Sequence, residues 1–150
     1  MQPFDGERTF TLPSEKLWPK LRDMAFLATC VPDASVHDGA TRDRAAATVK
    51  PGFSFMRGSL DVTAEVIDAK EPTTLKYRLT SKGIGSSSVV ETALTLSPHE
   101  QGTKIVYRAE VTSLGGLLKM VPAGLIRGAA QQVIEDVWTG VAKKIAAASN

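Results

Sequence analysis

The side chains that could catalyse a reaction are few and widely separated in this sequence. Neither histidine, His37 or His99, has a cysteine or carboxylate at the spacing of metal ligands, so no zinc site is predicted. His99 falls in the polar turn SPHEQGT and His37 stands beside Asp38, and we expect both on the surface. The single cysteine, Cys30, follows an apolar helical segment and is interpreted as a small buried residue. We therefore predict no catalytic residue, no metal and no cofactor.

A stretch rich in glycine and serine, GIGSSS at residues 83–88, could suggest a phosphate-binding loop. It lacks the lysine that follows the last glycine of such loops, and it is not followed by a helix. We interpret Gly83 and Gly85 as a strand irregularity such as a bulge. Glu91 and Glu110 are predicted on the solvent faces of their strands, so the sequence does not support chemistry by paired carboxylates.

Alternating hydrophobicity predicts the strands that must position these residues. A first strand runs from Glu7 to Leu12, and four more alternate with period two over about residues 60–66, 75–79, 90–96 and 105–111. Each has one apolar and one polar face, as in an antiparallel sheet with one solvated side. The breaks between them are short and contain glycine or proline, which predicts an antiparallel meander.

Helical periodicity predicts three further elements. An apolar face recurs over residues 14–21, and Asp23 is expected to cap a second short helix from Met24 to Thr29. The last third, from about Val121 to Ala148, carries a wide apolar stripe. Only the concave face of the sheet could cover that stripe. We therefore predict an α+β fold with two short helices after the first strand and a curved antiparallel sheet around a long C-terminal helix.

Composition limits the classes of partner and location. A chain of 150 residues fits a single domain spanning residues 1–150. The net charge of +2, with basic residues scattered among acidic ones, argues against nucleic acid as a partner. We see no apolar run long enough to span a membrane and no signal peptide after the polar start MQPFDGER. With one cysteine, these features predict a cytoplasmic domain.

Few bulky side chains are available to fill the space between sheet and helix. The chain has nine aromatic residues, and small residues (Ala129, Ala130 and Ala142) face the sheet on the long helix. We therefore predict an apolar cavity of roughly 300–1,000 Å³, with the apolar segment Leu114–Gly128 as a hypothetical gate over one mouth. The predicted ligand-binding residues are Phe26, Leu27, Phe53, Phe55, Leu60, Tyr77, Leu79, Tyr107, Leu118, Val121, Leu125, Ala129 and Val133.

The opening segment FDGERTFTLPSEKLWPKLRDMAFLATCVP resembles the family of the carbon monoxide dehydrogenase G subunit, in the START-like (Bet v 1-like, SRPBCC) superfamily. The matching features in this segment are the strand, the helix with Trp18, and the usual spacing of Leu21, Asp23, Leu27 and Pro32. Later landmarks also match, among them Gly58, the Gly83–Gly85 stretch, Tyr107 and the LIRGAA start of the last helix. The resemblance covers nearly the whole chain.

The resemblance implies a helix-grip fold, in agreement with the architecture predicted above. Members are associated with bringing a molybdenum-containing carbon monoxide dehydrogenase to the cytoplasmic membrane, and with binding an apolar ligand such as a quinone or lipid. Two features depart from the family pattern: Pro32-Asp33 replaces the usual Pro-Gly, and the sequence ends at Asn150 without the extended tail that anchors some members. We therefore expect ligand binding, with at most peripheral contact at the inner face of the membrane.

Three functions follow from these observations. The first is non-catalytic binding of an apolar molecule, oriented by the hydroxyl of Tyr77 or Tyr107. The second is a cyclase or hydrolase of the same superfamily, which would need His37 or a tyrosine to point into the cavity. The third is an interaction module for a larger redox complex, such as a carbon monoxide dehydrogenase-type enzyme, in which the outer surface matters.

Overall fold

Seven strands and three α-helices make up the computed structural model, which describes residues 3–50, 58–100 and 102–148. In chain order the elements are β1 (Phe4–Phe10), α1 (Ser14–Leu21), α2 (Met24–Thr29), β2 (Ser35–Val36), β3 (Arg44–Val49), β4 (Leu60–Lys70), β5 (Thr74–Gly83), β6 (Ser86–His99), β7 (Gly102–Gly116), a 3-10 helix (Leu117–Met120) and α3 (Ala123–Ala148).

The strands form one sheet in the order β1-β7-β6-β5-β4-β3-β2, and every neighbouring pair is antiparallel. The register shifts between Val66 and Asp68 on β4 and between Val89 and Val90 on β6. Such bulges bend a sheet and increase its twist. A curved antiparallel sheet with a long C-terminal helix confirms the predicted α+β class and the helix-grip architecture.

The two short helices form where their signals predict. In α1 the residues Leu17, Trp18 and Leu21 are buried, as the apolar spacing requires. The Asp23 carboxylate caps α2 by accepting a hydrogen bond from the Phe26 backbone N–H at 3.3 Å. This bond satisfies one of the amide groups that the first turn of a helix leaves without a partner.

Several details of the predicted elements differ from the structure. Gly83 pairs directly with Ser86, so residues 84 and 85 form a two-residue hairpin loop rather than a bulge, and both have positive φ, 56° and 67°. Positive φ at both loop positions is the conformation that matches the twist of the flanking strands. In addition, β1 spans Phe4–Phe10 instead of Glu7–Leu12, and β7 continues to Gly116 instead of ending at Val111. The long helix α3 begins at Ala123, two residues after its predicted start at about Val121.

Buried apolar side chains form two clusters between the sheet and the helices. The main core comprises Leu17, Trp18, Leu21, Met24, Cys30, Ala45, Leu75, Tyr77, Leu94, Leu96, Ile105, Tyr107, Trp138, Val141 and Ile145. The second cluster comprises Leu60, Val111, Leu118 and Ile126, with Val49, Val62, Ile84, Val90, Leu114, Val121 and Ala130 packed against them. Tryptophan and tyrosine rings fill the main core, whereas the second cluster has only aliphatic side chains among the described residues.

Candidate functional site

An apolar pocket of about 180 Å³ lies between the sheet and the first half of α3, and it is partly open to solvent. Its floor is the concave face of β3 to β7, and its roof is the 3-10 helix with α3. The lining residues are Val49, Leu60, Val62, Leu79, Ser81, Ser88, Val90, Val111, Leu118, Ile126, Ala129, Ala130, Val133 and Ile134. The pocket therefore lies mainly against the second cluster, while Leu79 and Ile134 of its lining pack against the main core.

The position of the pocket follows from the sizes of the side chains. Ala129 and Ala130 face the sheet from α3 and leave space that larger residues would occupy. Further along α3, Trp138 is buried and its ring lies 5.9 Å from the ring of Tyr107. These large rings fill the other half of the space under the helix. The pocket is for this reason smaller than the 300–1,000 Å³ that is typical of ligand sites and that we expected.

Only two described residues of the lining, Ser81 and Ser88, have polar side chains, and none is charged. These serines are opposite each other in the register of β5 and β6, and their hydroxyls hydrogen-bond to each other. The remaining surface can take up an apolar molecule by the hydrophobic effect, at about 25 cal/mol per Å² of apolar surface buried.

Five of the predicted ligand-binding residues, Leu60, Leu79, Leu118, Ala129 and Val133, line the pocket. Val121 packs against the second cluster outside the lining, and Leu125 is 54% exposed. Contact of any of these residues with a ligand stays a prediction.

The remaining predicted residues are placed elsewhere. Phe26 and Leu27 pack against the main core. Tyr77 is buried there and its hydroxyl donates a hydrogen bond to the Leu21 carbonyl at 2.5 Å. Burial raises the pKa of the Tyr77 hydroxyl well above its usual range. Phe53 and Phe55 lie outside the described residues.

Tyr107 takes part in a polar network that joins the sheet to α3. Its hydroxyl donates a hydrogen bond to Glu135, whose other carboxylate oxygen lies 3.0 Å from the Arg8 guanidinium. Burial and then the bond to Glu135 raise the pKa of Tyr107 to about 12, and the same bond is the main cause of the lowered pKa of Glu135. Gly6, directly opposite on β1, leaves room for the ring, since a Cβ there would lie 2.6 Å from Cζ of Tyr107. The Tyr107 hydroxyl therefore serves to hold the helix on the sheet.

Several lining residues are absent from the predicted set: Val49, Val62, Ser81, Ser88, Val90, Val111, Ile126, Ala130 and Ile134. The period-two pattern contained a signal for some of them. Ser81 follows Leu79 on the apolar face of β5, and Ser88 precedes Val90 on the apolar face of β6. Extending the alternation of each strand by two residues would have found both serines.

The candidate reactive groups lie apart from the pocket. Cys30 is buried, and burial raises the pKa of its thiol, which makes the thiol a poor nucleophile. His37 and His99 are exposed, as expected, and His37 Nε2 lies 2.7 Å from the Thr48 hydroxyl. Within residues 3–50, 58–100 and 102–148, no group of three or more His, Cys, Asp or Glu could hold a metal ion.

Three exposed apolar side chains belong to the two helices that form the roof of the pocket, and we call them the mouth patch. It consists of Leu117 and Met120 of the 3-10 helix and Leu125 of α3, which are 59%, 83% and 54% exposed. The basic residues Lys119 and Arg127 accompany it, and the sequence has no acidic residue from position 111 to 134. The hypothetical gate, Leu114–Gly128, contains the mouth patch. That this segment opens stays a prediction.

No helix in the part of the chain that the structure describes is both long and apolar enough to cross a membrane.

Comparison with solved structures shows what the fold resembles. A conserved protein from Geobacillus kaustophilus is 24% identical, with a TM-score of 0.82 over 97% of this chain and 95% of that one. Protein Ms6760 from Mycobacterium smegmatis is 16% identical, with a TM-score of 0.70 over 97% and 92%. The AHSA1 protein from Silicibacter pomeroyi is 13% identical, with a TM-score of 0.68 over 97% and 98%. At these identities the likeness concerns the fold.

Sequence comparison identifies the family. No curated protein sequence matches the chain. The profile of the CoxG family, which is named for the G subunit of carbon monoxide dehydrogenase, matches residues 6–146, nearly the whole length. This match agrees with the sequence landmarks and with the helix-grip fold. The chain therefore belongs to the CoxG family.

Proposed function

We propose that this protein binds an apolar small molecule, a lipid or a quinone, in the pocket between the sheet and α3, without transforming it. The observation that carries the proposal is the pocket itself: its described lining is apolar except for one pair of serines. The CoxG family and its superfamily commonly bind hydrophobic ligands, which supports the same conclusion.

The size of the pocket sets what part of a ligand it can hold. An apolar cavity of about 150 Å³ is large enough for benzene, so a pocket of about 180 Å³ accepts one ring or a short alkyl segment. Because the pocket is partly open, the remainder of a larger molecule would extend past Val133, which is 40% exposed and also lines the pocket. A quinone ring or the end of a lipid chain fits a pocket of this size, and the rest of either molecule can extend through the opening.

Titration with the fluorescent apolar probe N-phenyl-1-naphthylamine tests the proposal. We expect saturable binding by the wild-type protein and loss of binding in Ala129→Phe, because the added ring occupies the pocket. Gln131→Phe is the matched control, since Gln131 is exposed on α3 and outside the lining. Val133→Phe, at a more exposed position, should weaken binding even if Ala129→Phe fails to fold. Unchanged probe binding in folded Ala129→Phe would contradict this location.

A second function, peripheral contact with a membrane, is favoured by the mouth patch. Exposed apolar side chains with basic neighbours suit an interface that contains anionic lipids, where each Lys or Arg near the surface contributes about 1 kcal/mol. Contact there would bring the pocket close to the acyl chains from which an apolar ligand could enter. A cytoplasmic location with transient contact at the inner face of the membrane is part of this proposal.

Co-sedimentation with vesicles tests the membrane contact. We expect binding to vesicles that contain phosphatidylglycerol and weaker binding to pure phosphatidylcholine. Met120→Asp should reduce binding to both. Val106→Asp is the matched control, because Val106 is 43% exposed on β7, outside the mouth patch. Equal binding by the two variants would contradict a role for the mouth patch.

Membership of the CoxG family makes a carbon monoxide dehydrogenase-type enzyme the partner to test first. Co-purification of such an enzyme from the native host, with and without added quinone, would show whether ligand binding and enzyme recruitment are coupled. The alternative of an enzyme activity needs His37 or a tyrosine hydroxyl inside the cavity. His37 is exposed, and the hydroxyls of Tyr77 and Tyr107 both donate to acceptors within the protein.

A further inference from the structure

Two hydroxyl groups face each other in the otherwise apolar wall of the pocket. Ser81 and Ser88 are partly buried, line the pocket and hydrogen-bond to each other across β5 and β6. Leu79 and Val90, their neighbours on the same face of the two strands, also line the pocket. The pair therefore forms one polar point on a surface of aliphatic carbon.

The two hydroxyls keep hydrogen-bonding capacity after they bond to each other. Each hydroxyl has one donor hydrogen and two acceptor lone pairs, and their mutual bond uses one hydrogen. Among the described residues, no other side-chain hydrogen bond involves Ser81 or Ser88. The second hydrogen can therefore be donated to an oxygen atom that enters the pocket, and a partly buried donor gains from such a partner.

The surroundings of the serine pair favour a neutral oxygen over a charged one. The described lining contains no charged side chain. Lys82 follows Ser81 on β5 but is exposed, and strand alternation turns its side chain to the opposite face of the sheet. A carboxylate bound here would be desolvated without a cation, which is far less favourable than burying a hydrogen-bonded carbonyl or hydroxyl.

We infer that Ser81 and Ser88 are the polar anchor of the pocket and that they select apolar ligands ending in a neutral oxygen, a ketone-type carbonyl or an alcohol, over carboxylates of the same length. This inference rests on the proposed function, because it names the ligand class of the same pocket. The anchor orients the ligand, with its oxygen against the sheet and its apolar body along α3.

Displacement of N-phenyl-1-naphthylamine by four ligands of one chain length tests the anchor. The ligands are nonane, 2-nonanone, 1-nonanol and ionised nonanoate. In the double variant Ser81→Ala/Ser88→Ala we expect the affinity for 2-nonanone and 1-nonanol to fall about three- to tenfold, as loss of one hydrogen bond predicts, while that for nonane is unchanged. We expect nonanoate to bind most weakly to the wild-type protein. Ser87→Ala, on the opposite face of β6, is the matched control and should alter none of the four affinities.

The outcomes separate this inference from the proposed function. Unchanged affinity for 2-nonanone in the double variant, or nonanoate binding as tight as that of 2-nonanone, would overturn the anchor while nonane binding still supports the proposed function. Failure of all four ligands to bind the wild-type protein would overturn the proposed function and the anchor with it. If the double variant does not fold, the comparison of nonanoate with 2-nonanone in the wild-type protein still tests the anchor, because it needs no substitution.

Discussion

Replacing Gly140 with alanine should destabilise the protein, although alanine is the better helix former. A Cβ atom at this position of α3 would lie 3.1 Å from the carbonyl carbon of Cys30 and 3.4 Å from its Cα, and it would overlap the carbonyl oxygen. These are backbone atoms at the end of α2, so rotation of a side chain cannot relieve the contact. Instead α3 would have to move away from α2, and the buried residues Trp138 and Val141 would move with it.

The magnitude follows from two opposing terms. Alanine is favoured over glycine in a helix interior by about 1 kcal/mol, whereas overpacking a well-packed site costs about 1–3 kcal/mol. A contact with backbone places Gly140 at the upper end of that range, so we expect a net loss of about 1–2 kcal/mol in the free energy of unfolding. Gly128 is the matched control. It is exposed in the same helix, and apart from the helix's own backbone no described atom lies within 4 Å of a Cβ built there. Gly128→Ala should therefore gain about 1 kcal/mol.

Urea unfolding, followed by tryptophan fluorescence and far-ultraviolet circular dichroism, measures both variants. The midpoint should fall for Gly140→Ala and rise for Gly128→Ala, with the slope of the free energy against urea unchanged. A Gly140→Ala protein as stable as the wild type would refute the reasoning, because it would show that α3 does not press on the Cys30 backbone. A loss of stability in both variants would instead mean that alanine destabilises α3 itself, independently of any contact with the Cys30 backbone.

Three further predictions concern buried or paired side chains. The Thr92 hydroxyl is buried without a hydrogen-bond partner in the described part of the chain, whereas the Thr103 hydroxyl donates to a backbone carbonyl at 2.8 Å. Urea unfolding should therefore show Thr92→Val to be neutral or stabilising and Thr103→Val to lose about 1–3 kcal/mol; equal losses would contradict this difference. The lowered pKa of Glu135, due mainly to the hydrogen bond from Tyr107, means that its stabilising effect is complete above its ordinary pKa of 4.5 and is lost as the pH falls through the folded-state value. Glu135→Gln should flatten the acid side of the stability profile, and an unchanged profile would count against the network. The raised pKa and burial of Cys30 predict that a thiol reagent modifies it only on unfolding, so rapid modification of the folded protein would contradict its placement.

The types of element and much of the fold could be predicted from local patterns. The cap at Asp23 and the helix from Met24 to Thr29 depend on residues within one turn of each other, so a short window of sequence contains the whole signal. Five of the seven strands follow from alternation that each displays by itself. The other two, β2 with two residues and β3 with three consecutive alanines, carry no clear alternation. The ends of β7 and α3 were harder, because Leu114 to Val121 is apolar without a clear period.

The site could be predicted only in part. Leu79 and Ala129 were found because they lie on the apolar faces of their elements, and both line the pocket. Tyr77 lies on the same face of β5 as Leu79, yet it is buried in the main core and does not line the pocket. Facing the interior was therefore predictable, but which of these residues reach the pocket was not, because that depends on how the helix lies across the sheet.

The sequence by itself determined most of the elements, their buried faces and the family, because periodicity, caps and turn residues act between near neighbours along the chain. Tertiary structure alone decided where the space under α3 is left open and which hydroxyls are available to a ligand. The Tyr77 hydroxyl is bound to a carbonyl 56 residues away, and the Tyr107 hydroxyl to a carboxylate 28 residues away. Such partners are set by the packing of distant elements, which no local pattern records.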